Sequence, residues 1–151
     1  MSIVRKSLIA GSLAMAVSIV GYFEGREVVG YFDPIGIPTV CYGHTATAVV
    51  GKRLSDDECE RLLQQDLGIA LAAVDKQLPN LPPETRAAFG SFTYNVGVGA
   101  FNTSTLLKRA RAGRMTEACD QLLRWTYAGG RILKGLVIRR EAERELCLSG
   151  L

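Results

Sequence analysis

The hydrophobic pattern changes period along the chain. Ser7 to Phe23 (SLIAGSLAMAVSIVGYF) carries no charge and follows the basic pair Arg5 and Lys6. As a helix it spans roughly 25 Å, less than the ~30 Å of a bilayer's hydrocarbon. Ser7, Gly11, Ser12, Ser18 and Gly21 dilute its Leu, Ile and Val. From Val28 to about Thr45, apolar residues crowd between Gly30, Pro34, Gly36 and Pro38. That is the composition of short strands and turns, and it predicts a small antiparallel sheet or hairpin. From Ser55 onward the pattern is helical. Ser55-Asp56-Asp57-Glu58 reads as a capping box, and Leu62, Leu63, Leu67, Ala70, Leu71 and Val74 recur at helical spacing up to Pro79. A helix of that length can link two lobes.

Beyond it, Pro82 and Pro83 open a helix carrying Ala87, Ala88, Phe89 and Phe92, which stops in the glycine-rich NVGVGAF, Asn95 to Phe101. A short helix is expected from about Ser104 to Ala112, closed by Gly113. Another, capped by Thr116, should run to about Trp125. TYAGG reads as a loop, and a last helix should run from about Lys134 to Cys147. The fold class is therefore α+β, with a small sheet near the front, a long linking helix and a larger helical lobe.

The uncharged segment admits several readings. Arg5 and Lys6 with Ala14-Met15-Ala16 fit a cleaved signal peptide. The same residues fit a permanent anchor with its basic end in the cytoplasm, or an uncleaved anchor weak enough to leave the membrane later. An ordinary buried helix is the plain structural alternative.

Composition narrows the functional classes. The 151 residues are 48% hydrophobic and carry a net charge of +3, enough apolar content for a real core and too little charge for disorder. Mild basicity suits an anionic surface. Nucleic acid is not expected, because zinc-finger spacing, an RNA-binding signature and a dense Lys/Arg tract are all missing from the sequence. His44 is the only histidine, and Cys41, Cys59, Cys119 and Cys147 form no C-x-x-C pair, so neither a metal nor another cofactor is expected. Four cysteines behind an export-like segment suggest two disulfides; four buried free thiols are the alternative.

Glu24, Asp33 and Thr39 are the candidate chemistry. Glycosidic cleavage needs an acid at the leaving oxygen and a second carboxylate that activates water or attacks carbon. Glu24 closes the apolar helix, where partial burial would keep it protonated. Asp33, in a polar turn, would stay ionised, and Thr39 would hold a water by its hydroxyl. Asp33 and Thr39 should flank the turn at Pro34 to Gly36, close enough to share that water. Glu27, one helical turn on from Glu24, is a rival acid that spacing does not separate.

The stretch resembles the phage-type lysozymes, the muramidase endolysins of bacterial viruses. Their pattern of Glu, eight residues, Asp or Cys, five residues, Thr falls on Glu24, Asp33 and Thr39 without a gap. Gly25 and Gly43-His44 also match, as do LLQQD (Leu62 to Asp66), FTYNVGVGAF (Phe92 to Phe101), STLLK (Ser104 to Lys108), RWTYAGG (Arg124 to Gly130) and RREAERELC (Arg139 to Cys147). The last three blocks and the four cysteines resemble the subgroup with a signal-anchor-release N-terminus. Pro38 directly before Thr39 is a departure, tolerable at a strand edge.

The resemblance implies a lysozyme-like fold with residues 1–23 as the anchor segment, able to repack as the N-terminal helix, and 24–151 as the catalytic domain. It implies that Glu24 is the general acid and that Asp33 and Thr39 activate the attacking water. The substrate would be peptidoglycan, cut between N-acetylmuramic acid and N-acetylglucosamine with inversion. The protein would be a monomer, held in the host inner membrane through Ser7 to Phe23 and then released to the periplasm. His44 and Asp66 would form a structural ion pair. Asn95, Gly97 and Gly99 would line the substrate cleft, while Phe92 and Tyr94 read as core from their helical spacing. Arg139, Arg140 and Arg144 read as a solvated helix face paired with Glu141, Glu143 and Glu145. By fold analogy Cys41 would pair with Cys59 and Cys119 with Cys147. The rival functions are a catalytically inactive wall-binding module, a membrane-disrupting holin-like protein and a lytic transglycosylase.

Overall fold

A computed structural model describes residues 3–151, with side chains from residue 10 onward; Met1 and Ser2, and the side chains of Arg5, Lys6 and Ser7 at the head of the apolar run, lie outside the described residues. The first helix, α1 (Ile3–Glu24), runs through the uncharged segment. It stops because Gly25 takes φ +68°, a left-handed conformation natural to glycine after a helix. Ser12, Ala16 and Val20, four apart and all 0% exposed, form the buried stripe. The small residues in that stripe bring α1 close to its neighbours, and Ser12 Oγ donates to the Pro83 carbonyl at 3.0 Å. Ala10, Ala14, Ser18 and Tyr22 form the exposed row. Among the described residues no helix is long and apolar enough to cross a membrane.

The small lobe starts with β1 (Glu27–Phe32) antiparallel to β2 (Pro38–Cys41). Tyr31 faces Thr39, Phe32 faces Pro38 and Glu27 faces Cys41, with a bulge between the last pair and the others. Pro38 is the first residue of its strand, where a missing N–H costs the ladder little. The sheet region extends further than Thr45. The Gly30 amide donates to the Lys52 carbonyl at 2.9 Å and the Leu54 amide to the Val28 carbonyl at 2.8 Å, so residues 51–54 back the other edge of β1.

The linking helix α2 (Asp56–Gln77) begins with the expected capping box, both halves formed at Ser55 and Glu58. It buries Cys59, Leu63, Leu67, Ala70, Leu71 and Val74. Helix α3 (Pro83–Val96) is buried from Thr85 to Thr93 and forms the centre of the larger lobe, with α1, α2 and α7 packed against it. Then come α4 (Val98–Thr103), α5 (Thr105–Arg111), α6 (Met115–Gln121), a single 3-10 turn at Leu122–Arg124, a hairpin of β3 (Tyr127–Ala128) and β4 (Arg131–Ile132), and α7 (Lys134–Ser149).

Three local expectations need correction. The glycine-rich run after Val96 contains α4, anchored by the fully buried Phe101, whose burial outweighs the low helix propensity of Gly99. Thr116 does not cap α6. The ladder already begins with the Ala118 amide on the Arg114 carbonyl at 3.0 Å, so Thr116 sits inside the first turn. TYAGG is not a plain loop; Tyr127 pairs with Ile132 and Ala128 with Arg131 around two glycines of positive φ.

Among the described residues the core falls into three clusters, the smallest of them Val40, Cys41 and Cys59 in the small lobe. Phe89, Phe92, Phe101, Leu106, Leu107 and Leu122 fill the large lobe, while Ala16, Val20, Leu63, Leu67 and Ala87 join α1 to α2 and α3. Disulfides Cys41–Cys59 and Cys119–Cys147 fasten β2 to α2 and α6 to α7, which leaves no free thiol.

Candidate active site

Glu24 is the last residue of α1, half-buried where the helix meets the small lobe. Its Oε1 accepts from the Arg139 Nη1 of α7 at 2.7 Å. Arg139 is only 4% exposed, so this ion pair lies largely out of water. The expected apolar setting for Glu24 is thereby corrected: the acid candidate meets a guanidinium. Arg139 also stacks over Phe23, with Cζ 5.8 Å from the ring centroid. Glu27 is not one helical turn from Glu24, because Gly25 breaks the helix and Glu27 opens β1 with an exposed side chain.

The β1–β2 turn is organised by Asp33. Its Oδ1 accepts from the amides of Ile35 at 2.9 Å and Ile37 at 2.8 Å, and its own amide donates to the Ile37 carbonyl at 2.9 Å. Thr39 Oγ1 donates to the same Ile37 carbonyl at 2.9 Å. Asp33 and Thr39 are therefore linked through one residue, and the cross-strand partner of Thr39 is Tyr31. Thr39 is buried, at 5% exposure.

A tight loop closes the site from the other side. Val40 and His44 exchange backbone hydrogen bonds of 2.9 Å around Cys41 (φ 61°) and Gly43 (φ 83°). A non-glycine residue at positive φ is strained, and the disulfide to Cys59 holds Cys41 there. A Cβ on Gly43 would stand 3.6 Å from Glu24 Oε2 and 3.9 Å from the Tyr94 hydroxyl, so three elements meet at this glycine. Tyr94 donates a short hydrogen bond to the Tyr42 carbonyl and so clamps the loop to α3. Burial, reinforced by the negative charges of Glu24 and Asp66, pushes the Tyr94 phenol well above its ordinary value near 10. Tyr94 is thus a clamp beside the acid candidate, whereas Phe92 is true core, edge-on to Trp125 at 5.1 Å.

His44 is 4% exposed. Its Nδ1 lies 2.7 Å from Asp66 Oδ2 and its Nε2 lies 2.7 Å from Thr47 Oγ1. The Thr47 amide donates to Nε2, so Nε2 accepts and Nδ1–H is left to donate to Asp66. A groove of about 270 Å³ runs past this pair, lined by Gly43, His44, Asp66, Thr93, Tyr94 and Gly97 among others. Gly97 turns the chain from α3 into α4. Gly99 lies in α4 facing open space. Asn95 is exposed at the end of α3 and accepts a short bond from Arg140 Nη2.

Behind Glu24 lies a charge cluster that corrects the solvated-face reading of α7. Arg140 and Glu143 are 0% exposed. Glu143 Oε1 accepts from Ser91 Oγ at 2.7 Å and from Arg139 Nε at 3.2 Å. Glu143 Oε2 accepts a short bond from Arg140 Nη1. Arg140 also donates to the Trp125 carbonyl at 3.1 Å and lies 5.1 Å over the Phe92 ring. Burial pulls the Arg140 guanidinium below its usual value, and Glu143 works against that shift. Arg144 pairs outward with Asp120 at 2.7 Å, not with a glutamate of its own helix.

This geometry sits within a recognisable set of proteins. The sequence model of the Phage lysozyme family matches residues 21–143. The chain belongs to the phage lysozyme family. It is 45% identical to the SAR-endolysin of bacteriophage PS34, with 97% of this chain and 95% of that protein aligned. It is 47% identical to the SAR-endolysin of bacteriophage PS119, over 84% of this chain and 77% of that one. The active form of the P1 phage endolysin Lyz superposes with TM-score 0.83 at 26% identity, covering 90% of this chain and 84% of Lyz. The muramidase domain of SpmX from Asticaccaulis excentricus gives 0.82 at 33% identity, over 88% and 94%. The fold is lysozyme-like, and the protein is a glycoside hydrolase of the muramidase class, lytic toward peptidoglycan.

Of the residues singled out in the sequence, this phage lysozyme brings Glu24 to the Gly43 loop, joins Asp33 and Thr39 through Ile37, and pairs His44 with Asp66. Sequence reasoning overlooked Arg139 and Glu143 as parts of the site. Their one detectable signal was an i, i+4 Arg–Glu pair on a helix that also has to bury Cys147.

Proposed function

We propose that this phage lysozyme hydrolyses the β-1,4 bond between N-acetylmuramic acid and N-acetylglucosamine, with Glu24 as general acid and Asp33 and Thr39 preparing the water. The observation that carries the reading is the mounting of Glu24. One carboxyl oxygen is fixed by Arg139 and the other faces the Gly43 loop. Oε2 is the oxygen assigned to carry the proton to the leaving sugar. Asp33 spends Oδ1 on two backbone amides, which fixes the carboxylate and leaves Oδ2 for a water. Thr39 gives its hydroxyl proton to the Ile37 carbonyl, so its lone pairs accept from that same water. A water held between two acceptors turns its own lone pair toward the anomeric carbon. That is the arrangement inversion requires. Asn95, Gly97 and Gly99 are assigned to the walls that receive the glycan.

The membrane part of the reading rests on the uncharged run to Phe23, on the SAR-endolysin relatives and on the position of Glu24 at the end of α1. While residues 1–23 lie in the host inner membrane, Glu24 is held away from Arg139 and the Gly43 loop. Release to the periplasm lets α1 dock and completes the site.

Glu24→Gln should cut glycan hydrolysis roughly 10³-fold in protein that circular dichroism shows to be folded; undiminished hydrolysis would overturn the assignment. Mass spectrometry of the products separates the nearest rival, since a reducing end means hydrolysis and a 1,6-anhydro end means transglycosylation. The N-terminal residue of the periplasmic protein separates release from cleavage. Met1 or Ser2 marks release, and Val17 marks a cut after Ala16.

A further inference from the structure

Glu143 holds more of this site than its own helix. It is a fully buried carboxylate, hydrogen-bonded to both Arg139 and Arg140. Arg139 leads from it to Glu24, and Arg140 leads from it to Asn95. Ser91 of α3 fixes Oε1 from the other side. Two adjacent guanidiniums would repel each other without an anion between them, and a buried charge without a partner is costly. Glu143 is the anion hydrogen-bonded to both, while Glu24 is hydrogen-bonded to Arg139 alone.

We propose that Glu143 is a positioning residue for the reaction, setting through Arg139 and Arg140 the places of the acid and of one cleft wall. The proposal rests on the assignment of Glu24 as acid. Arg139 divides its donors among Glu24, Glu143 and the Ser91 carbonyl. Its Nε on Glu143 fixes the plane of the guanidinium, and that plane decides where Nη1 meets Glu24. Glu143 also draws part of the positive charge of Arg139 away from Glu24. Arg140 binds Asn95 from the same anchor, so glycan binding and proton donation share one support. A solvent-facing glutamate on α7 does neither.

The test compares the released enzyme with Glu143→Gln on soluble glycan strands, reading kcat, KM and the full pH–rate profile. Glu145→Gln, exposed on the same helix, is the control. Glu143→Gln should lower kcat by ~10- to 100-fold and raise KM several-fold. Arg139, relieved of its second anion, then acts on Glu24 alone and favours its ionised form. The alkaline limb of the profile should therefore move to lower pH. Loss of folding alone would reduce the active fraction without moving that limb. A folded Glu143→Gln with its alkaline limb in place overturns the proposal, whether or not kcat falls.

If Glu143→Gln does not fold, Ser91→Ala decides, since it removes only the hydroxyl that steadies Oε1. It should lower kcat by roughly 3- to 5-fold and raise KM; unchanged kcat and KM there overturn the proposal. Glu24→Gln is measured in parallel. Full activity in that variant removes the reading on which the proposal rests. An inactive Glu24→Gln beside an unaltered Glu143→Gln removes the proposal alone.

Discussion

Tyr94 shows how burial and charge act on a single side chain. Its phenol favours the neutral form because it is buried and because Glu24 and Asp66 lie near it. The folded state thus holds the proton more tightly than the unfolded state does. The stabilisation is complete below the unfolded value near 10 and is lost as pH rises above it. In an ultraviolet titration of the folded protein, wild type and Tyr94→Phe should show the same phenolate amplitude up to about pH 11, the extra tyrosine appearing only on alkaline unfolding. Thr39 makes a complementary case. Thr39→Val keeps the buried shape but removes the acceptor, so kcat should fall roughly 10- to 100-fold with KM little changed in steady-state assays. At this scale the candidates Glu24, Asp33 and Thr39 could be named from the sequence through their match to the phage-lysozyme pattern, their spacing alone being a weak signal. It hid Arg139 and Glu143, since an Arg–Glu pair at i, i+4 suits a wet helix face as well as a dry one. Only packing against α1 and α3 decides which it becomes.

Among the elements, the long ones were legible and the short ones were not. The capping box at Ser55 and the leucine spacing placed α2 before its tertiary partners were known. Helix α4 and the β3–β4 hairpin are short and carry glycine, so local propensity says little about them, and Phe101 burial or strand pairing decides. The backing of β1 by residues 51–54 was also invisible, because it is a long-range pairing. Gly30 makes it possible: a Cβ there would lie 2.0 Å from the Val49 carbonyl oxygen, which is backbone and cannot swing aside. Gly30→Ala should therefore destabilise the protein by about 3 kcal/mol, read as a lower denaturant midpoint. The loss should concentrate in the amides of β1 and residues 51–54 by hydrogen exchange.

Across the whole molecule, the two disulfides close loops at sequence separations of 18 and 28. Loop-closure entropy assigns each about 3 kcal/mol. Replacing Cys119 and Cys147 together by alanine should lower Tm by ~6–12 °C in calorimetry and leave the Asp33 turn unaffected. The α+β plan was readable from changes in hydrophobic period. The role of α1 was not, because an uncharged helix satisfies a bilayer and a protein core alike. Its buried stripe of Ser12, Ala16 and Val20 is what commits it to the core. The contact between Glu24 and Arg139 spans 115 residues, from the first helix to the last. A ribosome must therefore finish almost the entire chain before that contact can form. On the proposed assignment of Glu24, chains stopped before Lys134 should be inert in a glycan-release assay, which would spare the cell that makes them from partial products that cut its wall.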